Sequence, residues 1–230
     1  MTIADNVRAI REKMAEAAVR SGRDPKEIRL VAAAKMHDAA AVREAIAAGV
    51  DAVGENRVQE LLEKRAQGAY AGAPLHFIGT LQTNKIRQLV GVCDMIESVD
   101  SERQIEMIGK RAGALGIVQD VLIEVNIGRE PGKSGVAPEA LDELLAKAGE
   151  TPGVRVLGLM AIPPFTANPA DSRPYFDAMY QLFIDMSAKK YDNIFMHFLS
   201  MGMSDSFSEA IKAGANMVRI GTAIFGARRY

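Results

Sequence analysis

The sequence predicts a single (β/α)8 barrel of the TIM type, preceded by one additional helix. Eight short apolar segments alternate with helical segments along the chain. The apolar segments lack a strict alternation of apolar and polar residues, which is typical of strands buried on both faces of a parallel sheet. No linker rich in proline or serine divides the chain, so residues 1–230 are expected to form one domain.

The elements follow one another in a regular βα order after the first helix. That helix is predicted over residues 3–21, where apolar residues recur at steps of three and four, and Thr2 with Asp5 can form a capping box at its start. Strands are predicted at residues 29–34, 52–54, 75–78, 95–97, 120–126, 154–160, 194–199 and 217–220. Helices are predicted at residues 38–48, 58–67, 101–114, 138–148 and 174–189.

Composition and charge exclude several classes of function. The chain has 28 Lys and Arg against 29 Asp and Glu, and this near-zero balance argues against a broad nucleic-acid surface. The single cysteine, Cys93, excludes an internal disulfide and a cysteine-rich zinc site, and it favours a reducing cytoplasm. No apolar stretch approaches the roughly 20 residues that span a bilayer, and residues 1–6 do not resemble a signal peptide. We therefore expect a cytoplasmic protein with no nucleic-acid or membrane partner.

Lys35 is the most informative candidate for the site. In (β/α)8 barrels the active site lies at the carboxyl ends of the strands, and Lys35 follows the apolar run of the first strand. Burial of a lysine lowers its pKa and makes its amine a better nucleophile toward an aldehyde. Alternatively, the side chain ends the strand and extends to solvent. Position alone favours this second interpretation.

Two small polar segments follow the seventh and eighth strands. In barrels of this type a phosphate group commonly binds between these two loops, on backbone N–H groups. Ser200 and Gly202 lie in the first loop, and Gly221 and Thr222 lie in the second. An ordinary loop and helix cap would use the same residues, so both interpretations stay open here.

Three further polar residues lie in or directly after predicted strands. Arg219, inside the apolar eighth strand, is expected to have a partner, which is either an interior carboxylate or a ligand. Asn56 follows the second strand and is either a capping residue or a ligand contact. The three histidines lack the spacing of metal ligands, and His76 is the one expected nearest the mouth of the barrel.

Several of these segments, in this order, resemble the YggS/PROSC family of pyridoxal phosphate homeostasis proteins. The resemblance rests on residues 31–35, 54–60, 76–85, 158–160, 199–205 and 217–226. It implies an alanine-racemase-like barrel of the fold-type III class that holds pyridoxal 5′-phosphate (PLP) as an aldimine. By position it implies that Lys35 is the Schiff-base lysine, that Arg219 faces the pyridine nitrogen, and that Asn56 lies in the cofactor pocket. It further implies that the phosphate contacts are Ser200, Gly221 and Thr222.

The sequence departs from the family pattern beside Lys35. The family often has Ser and Thr on either side of the lysine, whereas this chain has Ala34 and Met36. Two hydroxyl groups near the aldimine are therefore missing, and the local hydrogen bonding is expected to differ.

Two functions are compatible with this resemblance. The first is a PLP-binding protein that buffers the cofactor and delivers it to apo-enzymes without substantial catalysis. The second is a PLP-dependent amino-acid racemase, which needs two acid/base groups on opposite faces of its substrate. Only Lys35 is recognisable as such a group, and few residues follow the eighth strand to form the second domain that racemases carry. Arg219 would also keep the pyridine nitrogen unprotonated and make PLP a weaker electron sink. We therefore expect a cofactor carrier. The sequence has no obvious apolar surface stripe, which favours a monomer.

Overall fold

The computed structural model describes residues 2–226 and contains the predicted closed barrel. Each strand pairs in parallel with the next, and β1 closes the sheet by pairing with β8. The strands are β1 (Arg29–Ala33), β2 (Ala52–Glu55), β3 (Leu75–Phe77), β4 (Met95–Val99), β5 (Gln119–Glu124), β6 (Val154–Met160), β7 (Ile194–Ser200) and β8 (Met217–Ile220). The predicted fold class is confirmed.

Helices surround the barrel and connect its strands. They are α1 (Ile3–Arg20), α2 (Ala39–Ala47), α3 (Val58–Ala66), α4 (Ile86–Leu89), α5 (Glu102–Leu115), α6 (Leu141–Gly149), α7 (Arg173–Ser187), α8 (Phe207–Ala213) and α9 (Thr222–Phe225). Short 3-10 turns lie at Pro25–Glu27, Thr83–Lys85, Pro138–Ala140 and Pro169–Ser172. The sequence did not predict α4, α8 or α9, because four to seven residues carry little helical periodicity.

The additional helix α1 packs beside the seam between the first and last strands. Thr2 and Asp5 form the predicted capping box at its start. Its apolar face shares a core cluster with residues of β1, β8 and α9. The amide of Asn6 donates to the carbonyl of Ile224 at 2.8 Å, which ties α1 directly to α9.

The strands are buried on both faces, as their composition predicts. Outward-facing residues such as Leu30 and Val218 pack against helices, whereas Val31 and Met217 face the interior of the barrel. The interior is not filled with apolar side chains alone, since it also holds the buried residues His76, Glu97, Ser200 and Arg219.

A cavity of about 330 Å³ opens at the amino-terminal end of the barrel. Acidic residues at this end are satisfied within the protein. Asp51 accepts from the Leu30 amide at 2.6 Å, and Asp94 accepts from the Leu75 amide at 2.7 Å. These contacts hold neighbouring strands in register at the end of the barrel away from the predicted site.

Among residues 2–226, no helix is both long and apolar enough to cross a membrane. The same residues contain no group of three or more His, Cys, Asp or Glu side chains that could hold a metal ion.

Candidate functional site

The barrel brings the predicted site residues to one end. Lys35 and Asn56 follow β1 and β2, and Ser200 ends β7. Arg219 lies in β8, and Gly221 follows that strand. Because β8 pairs with β1 and β1 pairs with β2, residues separated by almost the whole chain become neighbours at the carboxyl-terminal mouth.

Lys35 lies half-buried in the turn that directly follows β1. The next residue, Met36, has a φ of 65°, in the left-handed region that residues other than glycine rarely adopt. The turn is therefore an unusual local conformation, and the residues that hold it in place also determine where the Lys35 amine lies.

The loops after β7 and β8 meet beside this turn. The Ser204 hydroxyl accepts from the Ala223 amide at 3.3 Å, and the Arg219 amide donates to the Gly202 carbonyl at 3.0 Å. A Cβ at Gly221 would lie 3.1 Å from the Ala33 carbonyl oxygen, so this loop passes close to the end of β1. The predicted phosphate loops and the predicted lysine thus share one rim of the barrel.

Asn56 has an unsatisfied polar atom at the same end. Its Oδ1 atom is buried and has no hydrogen-bond partner among residues 2–226. A Cβ at Gly79 would lie 2.3 Å from the Asn56 carbonyl oxygen, so only glycine allows this close approach. The backbone fixes Asn56 in place, and its side-chain oxygen lacks a donor from the described residues, which is compatible with its predicted role as a ligand contact.

Arg219 is buried inside the barrel at the centre of a polar network. Its guanidinium donates to the Ser200 hydroxyl at 2.6 Å and to the Ala161 carbonyl at 3.0 Å, and it lies 3.8 Å from Glu97. Burial lowers the pKa of Arg219, and the charges of Glu97 and Glu124 oppose that shift. The interior carboxylate that the sequence left open as a partner of Arg219 is therefore present, although sequence reasoning did not name Glu97.

Glu97 links the Arg219 network to His76, deeper in the barrel. Its carboxylate accepts from the Ser200 hydroxyl and from Nδ1 of His76, each at 2.7 Å. Burial alone would raise the pKa of Glu97, but His76, Arg219 and Ser200 lower it. The carboxylate therefore carries its charge in the interior and anchors the groups around it.

Two sequence expectations change in light of this network. His76 lies inside the barrel and lines the cavity at the amino-terminal end, so its predicted position nearest the mouth is wrong. Ser200 is buried, and its hydroxyl is engaged by Glu97 and Arg219. A contact between that hydroxyl and a phosphate stays a prediction.

Glu124, at the end of β5, is a residue that sequence reasoning missed. It is 6% exposed, and no side-chain hydrogen bond to its carboxyl group occurs within the described part of the chain. Burial raises the pKa of Glu124 to about 7, with Arg219 opposing the shift and Asp100 adding to it. A glutamate inside an otherwise apolar strand was the available signal.

Comparisons with known proteins agree over the whole chain. Residues 2–229 match the family model for the N-terminal domain of alanine racemase. The pyridoxal phosphate homeostasis protein of Aquifex aeolicus is 44% identical over 230 residues, which cover all of both chains. The chain belongs to the family of pyridoxal phosphate homeostasis proteins. The resemblance to the YggS/PROSC family is thereby confirmed.

Solved structures of similar proteins have the same architecture. A crystal structure of an unknown protein from Bifidobacterium adolescentis has a TM-score of 0.91 at 36% identity, covering 97% of this chain and 94% of that one. The structure of PipY from Synechococcus elongatus PCC7942 with PLP bound has a TM-score of 0.81 at 34% identity. It covers 94% of this chain and 100% of PipY. Family membership and these neighbours confirm the alanine-racemase-like barrel.

Proposed function

We propose that this protein binds PLP at the carboxyl-terminal mouth of its barrel and acts in PLP homeostasis by holding and releasing the cofactor. The relatives named for this function match the chain over its full length, at 44% identity for the protein of Aquifex aeolicus. PipY, whose barrel superimposes on this one, has been solved with PLP bound.

The residues at the mouth fit the chemistry of this cofactor. A phosphorylated pyridine aldehyde needs an amine, phosphate donors and polar groups around its ring. Lys35 supplies the amine, and the adjoining loops at Gly221 and Ser204 supply backbone and hydroxyl groups close to the end of β1. The Oδ1 atom of Asn56 has no hydrogen-bond partner within residues 2–226, which supports a ligand contact at this place.

Each residue has a distinct proposed role. When bound, the cofactor supplies an aldehyde carbon and an electron-withdrawing ring. Lys35 would supply the amine for that carbon, and Arg219, which Ser200 and Glu97 hold in place, would keep the pyridine nitrogen unprotonated. Gly221 and Thr222 bind the phosphate with backbone and hydroxyl donors.

The convergence of the Lys35 turn with the loops after β7 and β8 is the observation that carries this proposal. It is tested by adding PLP to the purified protein, reducing with borohydride and mapping the labelled peptide. The cofactor is expected on the peptide that contains Lys35. Label on another lysine, with Lys35 unmodified, would overturn the assignment of the site.

Glu124 is a candidate for the second acid/base group that a racemase would need, so the racemase alternative requires its own test. A racemase needs a second acid/base group, and Glu124 is buried with a pKa raised to about 7 by that burial. We nevertheless propose that the protein is not a racemase, because Arg219 disfavours carbanion formation at the ring. The test is to incubate the PLP-loaded protein with L-alanine and follow D-alanine. Turnover near 1 s⁻¹ that both Lys35→Ala and Glu124→Gln abolish would establish the racemase instead.

We also propose that the protein works as a cytoplasmic monomer that delivers PLP to apo-enzymes, and that residues 1–230 form one domain. Its only cysteine, Cys93, is free and buried, as suits a reducing compartment. Pairing of β1 with β8 leaves the barrel without an open strand edge for a second copy to extend. Light scattering would test the monomer. PLP transfer to an apo-enzyme beside a trap for free PLP would test delivery.

A further inference from the structure

A buried ionic cluster lies behind the wall of the barrel next to Lys35. It consists of Glu55 at the end of β2, Glu60 and Lys64 on α3, and Tyr70. The ammonium of Lys64 lies 2.8 Å from Glu55 and 2.7 Å from Glu60, and the Tyr70 hydroxyl donates to Glu55 at 3.0 Å. Glu55 is fully buried and Lys64 is 4% exposed. The roles proposed above for the mouth do not account for this cluster.

The cluster contacts the residue on each side of Lys35. The Lys64 ammonium donates to the Ala34 carbonyl at 2.8 Å. The Glu60 carboxylate accepts from the Met36 amide, and the same oxygen atom of Glu60 pairs with Lys64. Lys35 therefore lies between two backbone groups that one ionic cluster fixes.

The contact at Met36 opposes a conformational preference. A left-handed conformation is unfavourable for a residue with a Cβ atom. A hydrogen bond from an amide to a carboxylate is charge-assisted, so Glu60 can hold the turn in this state. Without Glu60, Met36 is expected to relax to an ordinary conformation and move the Lys35 amine away from the mouth.

Stability alone does not explain a buried lysine held by two glutamates. Taking these charges out of water is unfavourable, and apolar residues often replace buried ion pairs without loss of stability. Burial raises the pKa of Glu55, whereas Lys64 and Tyr70 oppose the shift, so desolvation of this carboxyl group is only partly offset by its partners. The contacts of this cluster with the backbone around Lys35 instead suggest that it positions that turn.

We propose that Glu60 and Lys64 are positioning residues that hold the turn at residues 34–36, so that the Lys35 amine faces the aldehyde carbon of PLP. The inference rests on the proposed function. In the step it assists, the unprotonated amine of Lys35 bonds to the aldehyde carbon and one water molecule is released. Neither positioning residue exchanges a proton or an electron pair with the cofactor.

The test separates positioning from simple binding by using two ligands. PLP reacts with Lys35, whereas pyridoxine 5′-phosphate has an alcohol in place of the aldehyde and binds through ring and phosphate only. Glu60→Ala is expected to slow formation of the Lys35–PLP linkage at least tenfold in stopped-flow absorbance. Its affinity for pyridoxine 5′-phosphate is expected to stay within twofold of wild type. Hydrogen exchange at the Met36 amide is expected to quicken.

Three variants sharpen the experiment. Glu60→Gln keeps an oxygen acceptor for the Met36 amide and is expected to react within about threefold of wild type. Met36→Asn introduces a residue that tolerates the left-handed region, and in the Glu60→Ala background it is expected to restore part of the lost rate. Glu63→Ala removes an exposed carboxylate from the same helix and is expected to change neither rate nor affinity.

Specific outcomes would overturn the proposal. Wild-type reaction rates in Glu60→Ala would remove the positioning role. Equal losses for both ligands would also overturn it, since they would show that Glu60 merely supports the fold of the site. A wild-type protein that binds pyridoxine 5′-phosphate but forms no linkage with PLP would instead contradict the proposed function.

Discussion

The two ends of the barrel use polar residues in opposite ways. At the amino-terminal end, Asp51 and Asp94 accept from backbone amides, and Asp120 forms a bidentate pair with Arg155. At the carboxyl-terminal mouth, Asn56 Oδ1 has no hydrogen-bond partner within residues 2–226, and no side chain of these residues hydrogen-bonds to the Glu124 carboxyl group. The acidic groups at the amino-terminal end are satisfied and stabilise strand register, whereas Asn56 Oδ1 is unsatisfied within residues 2–226 and lies at the mouth, where we propose that PLP binds.

Among substitutions that test this difference between the two ends, Lys35→Ala is expected to have the largest effect on PLP binding. Lys35→Ala should abolish covalent attachment of PLP, because it removes the amine that we propose bonds to the aldehyde. The variant should melt within a few degrees of wild type, since Lys35 is only half-buried. Mass spectrometry after borohydride reduction measures the first effect, and thermal unfolding measures the second. If the variant still held PLP covalently, Lys35 would not be the attachment site.

The second effect concerns Glu124 and pH. Its pKa is raised to about 7 in the folded protein by burial, and it is close to 4.5 when the group is not shifted. The folded state therefore binds this proton more tightly, and stability falls as pH rises from about 4.5 to about 7. The loss attributable to Glu124 is about 3 kcal/mol by linkage.

Comparison with Glu124→Gln isolates this contribution, since all other titrating groups are shared. Urea unfolding at pH 5 and pH 8 should show that the variant loses less stability than wild type over this range. If the unfolding free energies of the two proteins changed with pH in the same way, Glu124 would not have a raised pKa, and the prediction would be wrong.

The third effect is at the amino-terminal end. Asp51→Ala removes the acceptor of the buried Leu30 amide and a partner of Arg11, so unfolding free energy should fall by about 2 kcal/mol. Affinity for PLP should not change, because the substitution lies at the opposite end from Lys35. Denaturant titration and equilibrium binding measure the two quantities. If Asp51→Ala lost much of its PLP affinity at unchanged stability, the amino-terminal end would have a role in ligand binding, contrary to this prediction.

The smallest effect is at the phosphate loops. Thr222→Ala should weaken PLP binding by about 1–2 kcal/mol, since one hydrogen bond to a charged phosphate is lost. Pyridoxal, which has no phosphate, should bind wild type and variant equally. Thr80→Ala is a matched control, because Thr80 is an exposed threonine in the loop after β3 on the same end of the barrel. Equal weakening of PLP and pyridoxal would place the phosphate elsewhere.

The sequence predicted which residues gather at the mouth better than it predicted the barrel interior. The βα order and the apolar strands gave the barrel, and barrel topology placed Lys35, Asn56 and Gly221 together. Orientation within a strand was not predictable, because strands buried on both faces lack the alternation that distinguishes inside from outside. His76 was therefore expected nearest the mouth although it lies inside the barrel, and the contacts of Glu97 were not foreseen. Their pairing requires the registers of β3, β4 and β7, which no short motif encodes.

The closure of the barrel between β1 and β8 has a consequence for biosynthesis. Lys35 emerges early from the ribosome, but the strand that completes its surroundings spans Met217–Ile220. The contact between Asn6 and Ile224 joins residues 218 positions apart, so α1 can complete its packing only after Ile224 has been synthesised. Contacts of such long sequence separation form late in folding. An unfinished polypeptide on the ribosome therefore has the reactive lysine but not the pocket, and it is not expected to capture PLP before synthesis nears completion.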